Sequence, residues 1–190
     1  EDGLWPGLDK SIIPLYSFQV ATKPLSPALR KVILPQGHVV ADTRRLLTYF
    51  RLDHEGRLVV GGRGGVEDAT ELELYQHIID RLKELYPQLG EPEIEYFWSG
   101  KVALTLDGLP HIHRLGTGLY AGLGFNGRGV GMATLMGQWL AELVGEQVVP
   151  EGCLPVTELK PIRFLQWRKP VMKAAVGWKG VQDQMEQLVG

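Results

Sequence analysis

Five glycines punctuate residues 122–131, at Gly122, Gly124, Gly127, Gly129 and Gly131. They follow a short strand-like run, residues 118–121, and they precede apolar residues at Met132, Leu135, Met136, Trp139, Leu140, Leu143 and Val144. That spacing predicts an amphipathic helix, with Gly145 as its stop. A strand that turns through glycines into a helix leaves backbone N–H groups without helical acceptors, at the positive end of the helix dipole. Such a turn can hold an electron-rich group. The alternative is that the glycines only let a helix pack closely on a sheet.

Gly122, Gly124 and Gly127 formally match G-x-G-x-x-G. In the ordinary dinucleotide fold that motif opens a βαβ unit, with an acidic residue at the end of the second strand about 20 residues on. Here Glu142 lies on the helix itself, and Val148 and Val149 run into prolines with no convincing second strand. No Gly-Lys-Ser/Thr follows, so the segment is not a P-loop. It reads as a last strand and last helix returning to a sheet that begins elsewhere.

Other side chains could do chemistry beside such a turn. Alternation along a strand puts Tyr49 and Arg51 on one face and Phe50 on the other. An arginine on an apolar strand grips an anion or reaches solvent; it can also pair with Asp53 or Glu55. Trp98, Lys101 and Asp107 flank another strand, where an aromatic anchor and a tight turn are the plain reading. His111 and His113 share a face, but two imidazoles without a further ligand do not make a metal site. Cys153, in a loop, reads as an inert thiol.

These residues need elements to position them. Residues 12–22 read as a strand after the proline, and Pro24 and Pro27 bracket a short helical turn. Residues 46–62 form a hairpin around Asp53 to Gly56, with residues 61–65 as a flexible exit. Leu72, Tyr75, Ile78, Ile79, Leu82 and Leu85 make one stripe of a helix over about 68–86, stopped by Pro87. Residues 93–106 are one long strand or two broken near Gly100. Asp107 and Gly108 then turn the chain, and Pro110 limits pairing. Beyond Pro170 the segment 160–189 reads as a helix carrying Phe164, Trp167, Val171, Ala174, Trp178, Val181, Met185 and Leu188. Its cations, Arg163, Arg168, Lys169, Lys173 and Lys179, suit the solvated face of a docked helix better than a membrane surface.

The 190 residues suffice for one large domain or two small ones. With 20 basic and 22 acidic residues the charge nearly cancels, which argues against a nucleic-acid partner. The single cysteine suits a reducing, cytoplasmic setting, and no apolar run is long enough to span a bilayer. A first residue other than Met suggests a trimmed chain or a fragment.

Taken in order, five phrases resemble the D-amino-acid-oxidase-like family of FAD-dependent oxidoreductases, which includes glycine oxidase, sarcosine oxidase and gamma-glutamylputrescine oxidase. They are residues 21–25, Tyr49 to Arg51 with Gly56 to Arg63, Trp98 to Gly100, Asp107 to Pro110, and Tyr120 to Val130. The wording is nearest to the last branch. The resemblance implies an α+β fold. A substrate-domain sheet with flanking helices fills residues 1–117, and the returning strand and helix of an FAD-binding domain fill 118–150. A docking segment, 151–190, closes the chain. The amino-terminal Rossmann unit of the family is absent from this sequence, so the resemblance implies a C-terminal portion, inactive alone, whose partner is the missing dinucleotide-binding part.

The resemblance further implies oxidation of the CH–NH bond of a small amine or amino acid to an imine. Gly124, Phe125, Asn126, Gly127, Arg128, Gly129 and Val130 would meet the flavin, and Tyr49, Arg51, Trp98, Lys101 and Asp107 the substrate. Arg128 stands where relatives often carry His; it could stabilise an anion or point to solvent. The strand that bears a flavin-linking cysteine in the sarcosine-oxidase branch reads Lys101 to Thr105 here, so FAD would be non-covalent. A non-catalytic ligand- or partner-binding module is the alternative, and no metal is expected.

Overall fold

Strong β-formers alternate with small or polar residues along residues 13–22, and this stretch forms the strand β1, Ile13–Thr22. The computed structural model describes residues 3–145 and 151–163, together with 167, 170–174, 177–178, 182 and 185. Two units are distinguished: residues 16–101 with 169–190, and residues 1–15 with 102–168.

The first unit is built on a five-stranded sheet in the order β2-β3-β4-β1-β5. Its strands are β1, β2 (Val40–Ala41), β3 (Tyr49–Leu52), β4 (Leu58–Arg63) and β5 (Ile94–Leu104), and the unit boundary falls inside β1 and β5. The hairpin forms because Asp53 closes its own turn: its carboxylate accepts from the Glu55 and Arg57 amides at 2.9 and 2.8 Å. The register that results pairs Leu52 with Leu58, Phe50 with Val60, and Arg51 with Val59. Phe18 and Val20 of β1 pair with Gly62 and Val60. One face therefore carries Phe18, Val20, Phe50, Leu58 and Val60, all buried against Tyr75, Ile78, Ile79 and Leu82. The opposite face carries Tyr49 and Arg51.

The helix under this sheet differs from expectation. Glu71 is extended, so helix cannot begin at 68; a 3-10 turn over Leu72–Tyr75 leads into α2, Gln76–Leu85, after the short α1, Pro27–Arg30. The buried Tyr75 hydroxyl donates to the Ala69 carbonyl at 2.9 Å, which holds the loop before the 3-10 turn in place. Tyr86, at φ −135° and ψ 72°, ends α2 as a residue before proline does. The short turn begins at Pro27, capped by Ser26, rather than lying between the two prolines. Gly61 and Gly62 are not a flexible exit. They lie within β4, where the Tyr49 ring and Ile78 occupy the space that side chains would need. β5 runs unbroken through Gly100.

In the second unit β6 (His111–Gly116) pairs antiparallel with β7 (Leu119–Leu123) and parallel with β8 (Val156–Glu158). Pro110 does not prevent β6, because the strand starts one residue beyond it. A strand does follow the glycine-turn helix: α3, Gly129–Gly145, leads on to β8 on the far side of β6. Met136 and Leu143 of α3 are buried with Ile112 of β6, while Leu135 and Val144 stay exposed. Leu8, Ile12 and Leu123 form a smaller core with Trp5 and Leu115.

Of the terminal segment, residues 170–174 and 177–178 are helical, and Trp167, Val171, Trp178 and Met185 are exposed. Phe164, Arg168, Lys169, Lys179, Val181 and Leu188 lie outside the described residues. Among the described residues no helix is long and apolar enough to cross a membrane.

Candidate functional site

The turn between β7 and α3 is fixed by one side chain. Asn126 sits in the left-handed region at φ 51°, a conformation that asparagine tolerates better than most residues. Its Oδ1 accepts from the Thr105 amide at 3.0 Å, and its Nδ2 donates to the Thr105 hydroxyl at 3.0 Å and the Gly124 carbonyl at 2.5 Å. Its backbone N–H donates to Ala103 O at 3.2 Å. Phe125 packs beside the Ile112 and Met136 core. Arg128 donates from its guanidinium to the Gly108 carbonyl at 2.9 Å and stays exposed. The amides of Gly127, Gly129, Val130 and Gly131 find no acceptor among the described residues, and the first main-chain bond of α3 is Met132 N–H to Arg128 O. Val130 is 96% exposed, so nothing in this unit plugs the helix tip. Four donors thus stand without acceptors at the positive end of a 17-residue helix.

In the sheet unit, Arg51 and Trp98 line a hollow of about 430 Å³, with Tyr96 and Phe97 beside them. The carboxylates that the sequence offers to Arg51 are taken by Arg57. Its guanidinium contacts Glu55, lies 3.5 Å from Asp53, donates to Glu95 at 2.7 Å and covers the Tyr96 ring. The Arg57 hydrogen bond, above all, holds Glu95 below the ordinary carboxylate range. Arg51 consequently makes no ion pair among the described residues and stands exposed on its face. Tyr49 lies on that face two residues away, its ring over Gly61 and its hydroxyl hydrogen-bonded to Ser17. Lys101 is exposed near the end of β5.

Residues 2–143 match the family model described as DAO, FAD dependent oxidoreductase. The chain belongs to this family. Gamma-glutamylputrescine oxidoreductase of Escherichia coli is 34% identical over 145 residues, which is 75% of this chain and 34% of that protein. The probable oxidoreductase OrdL of Haemophilus influenzae is 32% identical over 138 residues, 73% of this chain and 31% of that protein. The chain therefore spans about a third of the length of these relatives. The crystal structure of glycine oxidase from Geobacillus kaustophilus superposes with a TM-score of 0.56 at 22% identity, over 72% of this chain and 36% of that one, which shows a likeness of fold.

A DAO-family chain implies FAD, and the glycine turn suits it chemically. Unpartnered N–H donors on an exposed, glycine-lined helix start are what an electron-rich ring edge requires. Cys153 is a poor attachment point. Burial first, and Glu142 second, push its thiol pKa up, and its Sγ lies 3.3 Å from the Leu154 carbonyl.

Asp107 belongs to the unit that holds the turn. Its carboxylate accepts from the Leu109 amide at 3.1 Å and lies 3.1 Å from His111 Nε2. Those bonds, the Leu109 one foremost, hold it below the ordinary carboxylate range. His113 is buried, its Nδ1 3.0 Å from the Thr157 hydroxyl, and burial lowers its pKa. Among the described residues no three His, Cys, Asp or Glu side chains gather as a metal would need. Sequence reasoning missed Thr105 and Ser17 as supports; an asparagine among glycines was the one signal that a second residue must pin the turn.

Proposed function

We propose that this chain supplies the substrate-covering sheet and the flavin-facing turn of an enzyme that uses non-covalent FAD to oxidise the CH–NH bond of an amine or amino acid to an imine. The observation that carries this reading is the set of four unpartnered amides, Gly127, Gly129, Val130 and Gly131, at an open helix start. Bound FAD supplies the hydride-accepting chemistry. The chain's own task is to hold and to polarise. The turn from Gly124 to Val130 presents donors that stabilise negative charge at the pyrimidine edge of the ring. Arg51 grips a substrate carboxylate, with Tyr49 and Trp98 beside it and Lys101 on the same sheet; Asp107 is the separate substrate-side candidate of the other unit.

The same reading assigns residues 1–117 to the substrate domain, 118–150 to the returning part of the FAD domain and 151–190 to docking. It makes this chain inactive without an amino-terminal dinucleotide-binding portion. A cytoplasmic setting belongs to the proposal too, on the strength of the single cysteine.

Gly129 is the first residue of α3, a position where proline is tolerated but brings no N–H. In the full-length protein, Gly129→Pro should lower the flavin reduction potential and slow amine oxidation by about a hundredfold, the usual scale for one such donor. An unaltered potential with full FAD content would remove the amides from this role. Arg51→Met should raise KM for a carboxylate-bearing amine while sparing an amine without one; equal kinetics on both would remove Arg51.

A further inference from the structure

The sheet unit holds a second and larger hollow, of about 770 Å³, at the end of β4 and beside α2. Arg44, Arg63 and Arg81 line it together with Phe18, Leu47 and Ile78. Lys173 lines it too, and the three guanidiniums differ in how their charge is met. Arg81 lies 2.9 Å from Glu84 and 3.6 Å from Asp42, and Arg44 lies 4.0 Å from Asp42. Arg63 has no ion pair among the described residues, and its buried Nε has no acceptor. Burial alone pushes its pKa down, with no neighbouring charge pushing it back. Four carboxylates share the hollow: Asp68 accepts from the Ser99 hydroxyl, Asp80 from Gln76 and Glu84 from Arg81, and Glu67 lines it beside them.

A guanidinium withdrawn from water without a counter-charge is costly, and an anion within hydrogen-bond reach offsets that cost. Arg51 is the contrast on the same sheet: it is exposed, and water solvates it. We propose that the larger hollow binds a small organic acid, its carboxylate on the Arg63 guanidinium and its apolar body against Phe18, Leu47 and Ile78. The volume lies within the range of about 300–1,000 Å³ that small-molecule sites occupy, and a single inorganic ion would leave most of it unfilled. The proposal is independent of the flavin reading, and its test uses no flavin.

Calorimetric titration of this chain with hexanoate, hexanol and inorganic phosphate at low salt decides the matter. Hexanoate should bind saturably and hexanol should not. Arg63→Met should weaken hexanoate binding about tenfold or more, the scale of one charged hydrogen bond, with part of it recovered in Arg63→Lys. Hexanoate binding to the unaltered chain should also weaken as salt rises. Phosphate binding as tightly as hexanoate overturns the organic-acid assignment. Salt-insensitive binding, no binding, or full binding by a folded Arg63→Met chain overturns the site.

Discussion

A side chain added at Gly61 would collide with the Tyr49 ring, and one at Gly64 with the Phe18 ring, whereas at Gly127 or Gly131 it would meet nothing within 4 Å. Two glycine-rich segments of one chain thus use the same residue for opposite ends. Along β4 and just beyond it, glycine admits a neighbouring aromatic ring. At the start of α3, glycine leaves backbone amides uncovered. The second segment is itself divided: a Cβ at Gly122 would strike Met136, and one at Gly124 would strike Thr105. Its first two glycines seat the helix and the Asn126 anchor, and its later ones stay open. Composition alone cannot make this distinction, because close packing and ligand access both call for a missing Cβ.

The comparison is broken most sharply at Gly61. Gly61→Ala should destabilise this chain by about 2 kcal/mol, since the Tyr49 ring must leave its place and its Ser17 bond. A urea midpoint unchanged from the original would show that β4 tolerates the methyl and is no packing site. Asn126 comes next. Asn126→Ala loses the bonds to Thr105 and places alanine at φ 51°, for a cost of about 1–2 kcal/mol. Asn126→Gly relieves the backbone and loses only the bonds, so its thermal midpoint should fall between the two. If Asn126→Gly melts like the unaltered chain, the anchor is not what holds the turn. The smallest effect belongs to Gly131, in the first turn of α3. Gly131→Ala should stabilise this chain by up to about 1 kcal/mol, yet weaken FAD retention in the full-length protein if the bare backbone serves approach. Equal FAD retention would return Gly131 to a purely conformational role.

Much of the frame was legible before any coordinates. The β1 strand, the hairpin around Asp53, the α2 stripe and the strand-to-helix turn at 122–131 all follow from apolar period and turn residues. The misreadings share a cause. Gly61 and Gly62 read as loop because their partners, Tyr49 and Ile78, lie elsewhere in sequence. β8 was missed because three residues after prolines carry no periodicity, and only pairing with β6 makes them a strand. The late start of α2 reflects the Tyr75 hydroxyl bonded to Ala69, a contact that local propensity does not encode.

Residue order by itself determined the family, the place of the glycine turn and the face shared by Tyr49 and Arg51. Tertiary structure decided which cations are satisfied. Arg51 and Arg57 stand equally near Asp53 and Glu55 in sequence, yet Arg57 takes both and adds Glu95, 38 residues on. Arg63, on the same strand as Leu58 to Gly62, is half-buried, and its guanidinium has no ion pair among the described residues. Charge is matched through space across strands, where the distance between groups sets the energy, and spacing along the chain does not fix that distance.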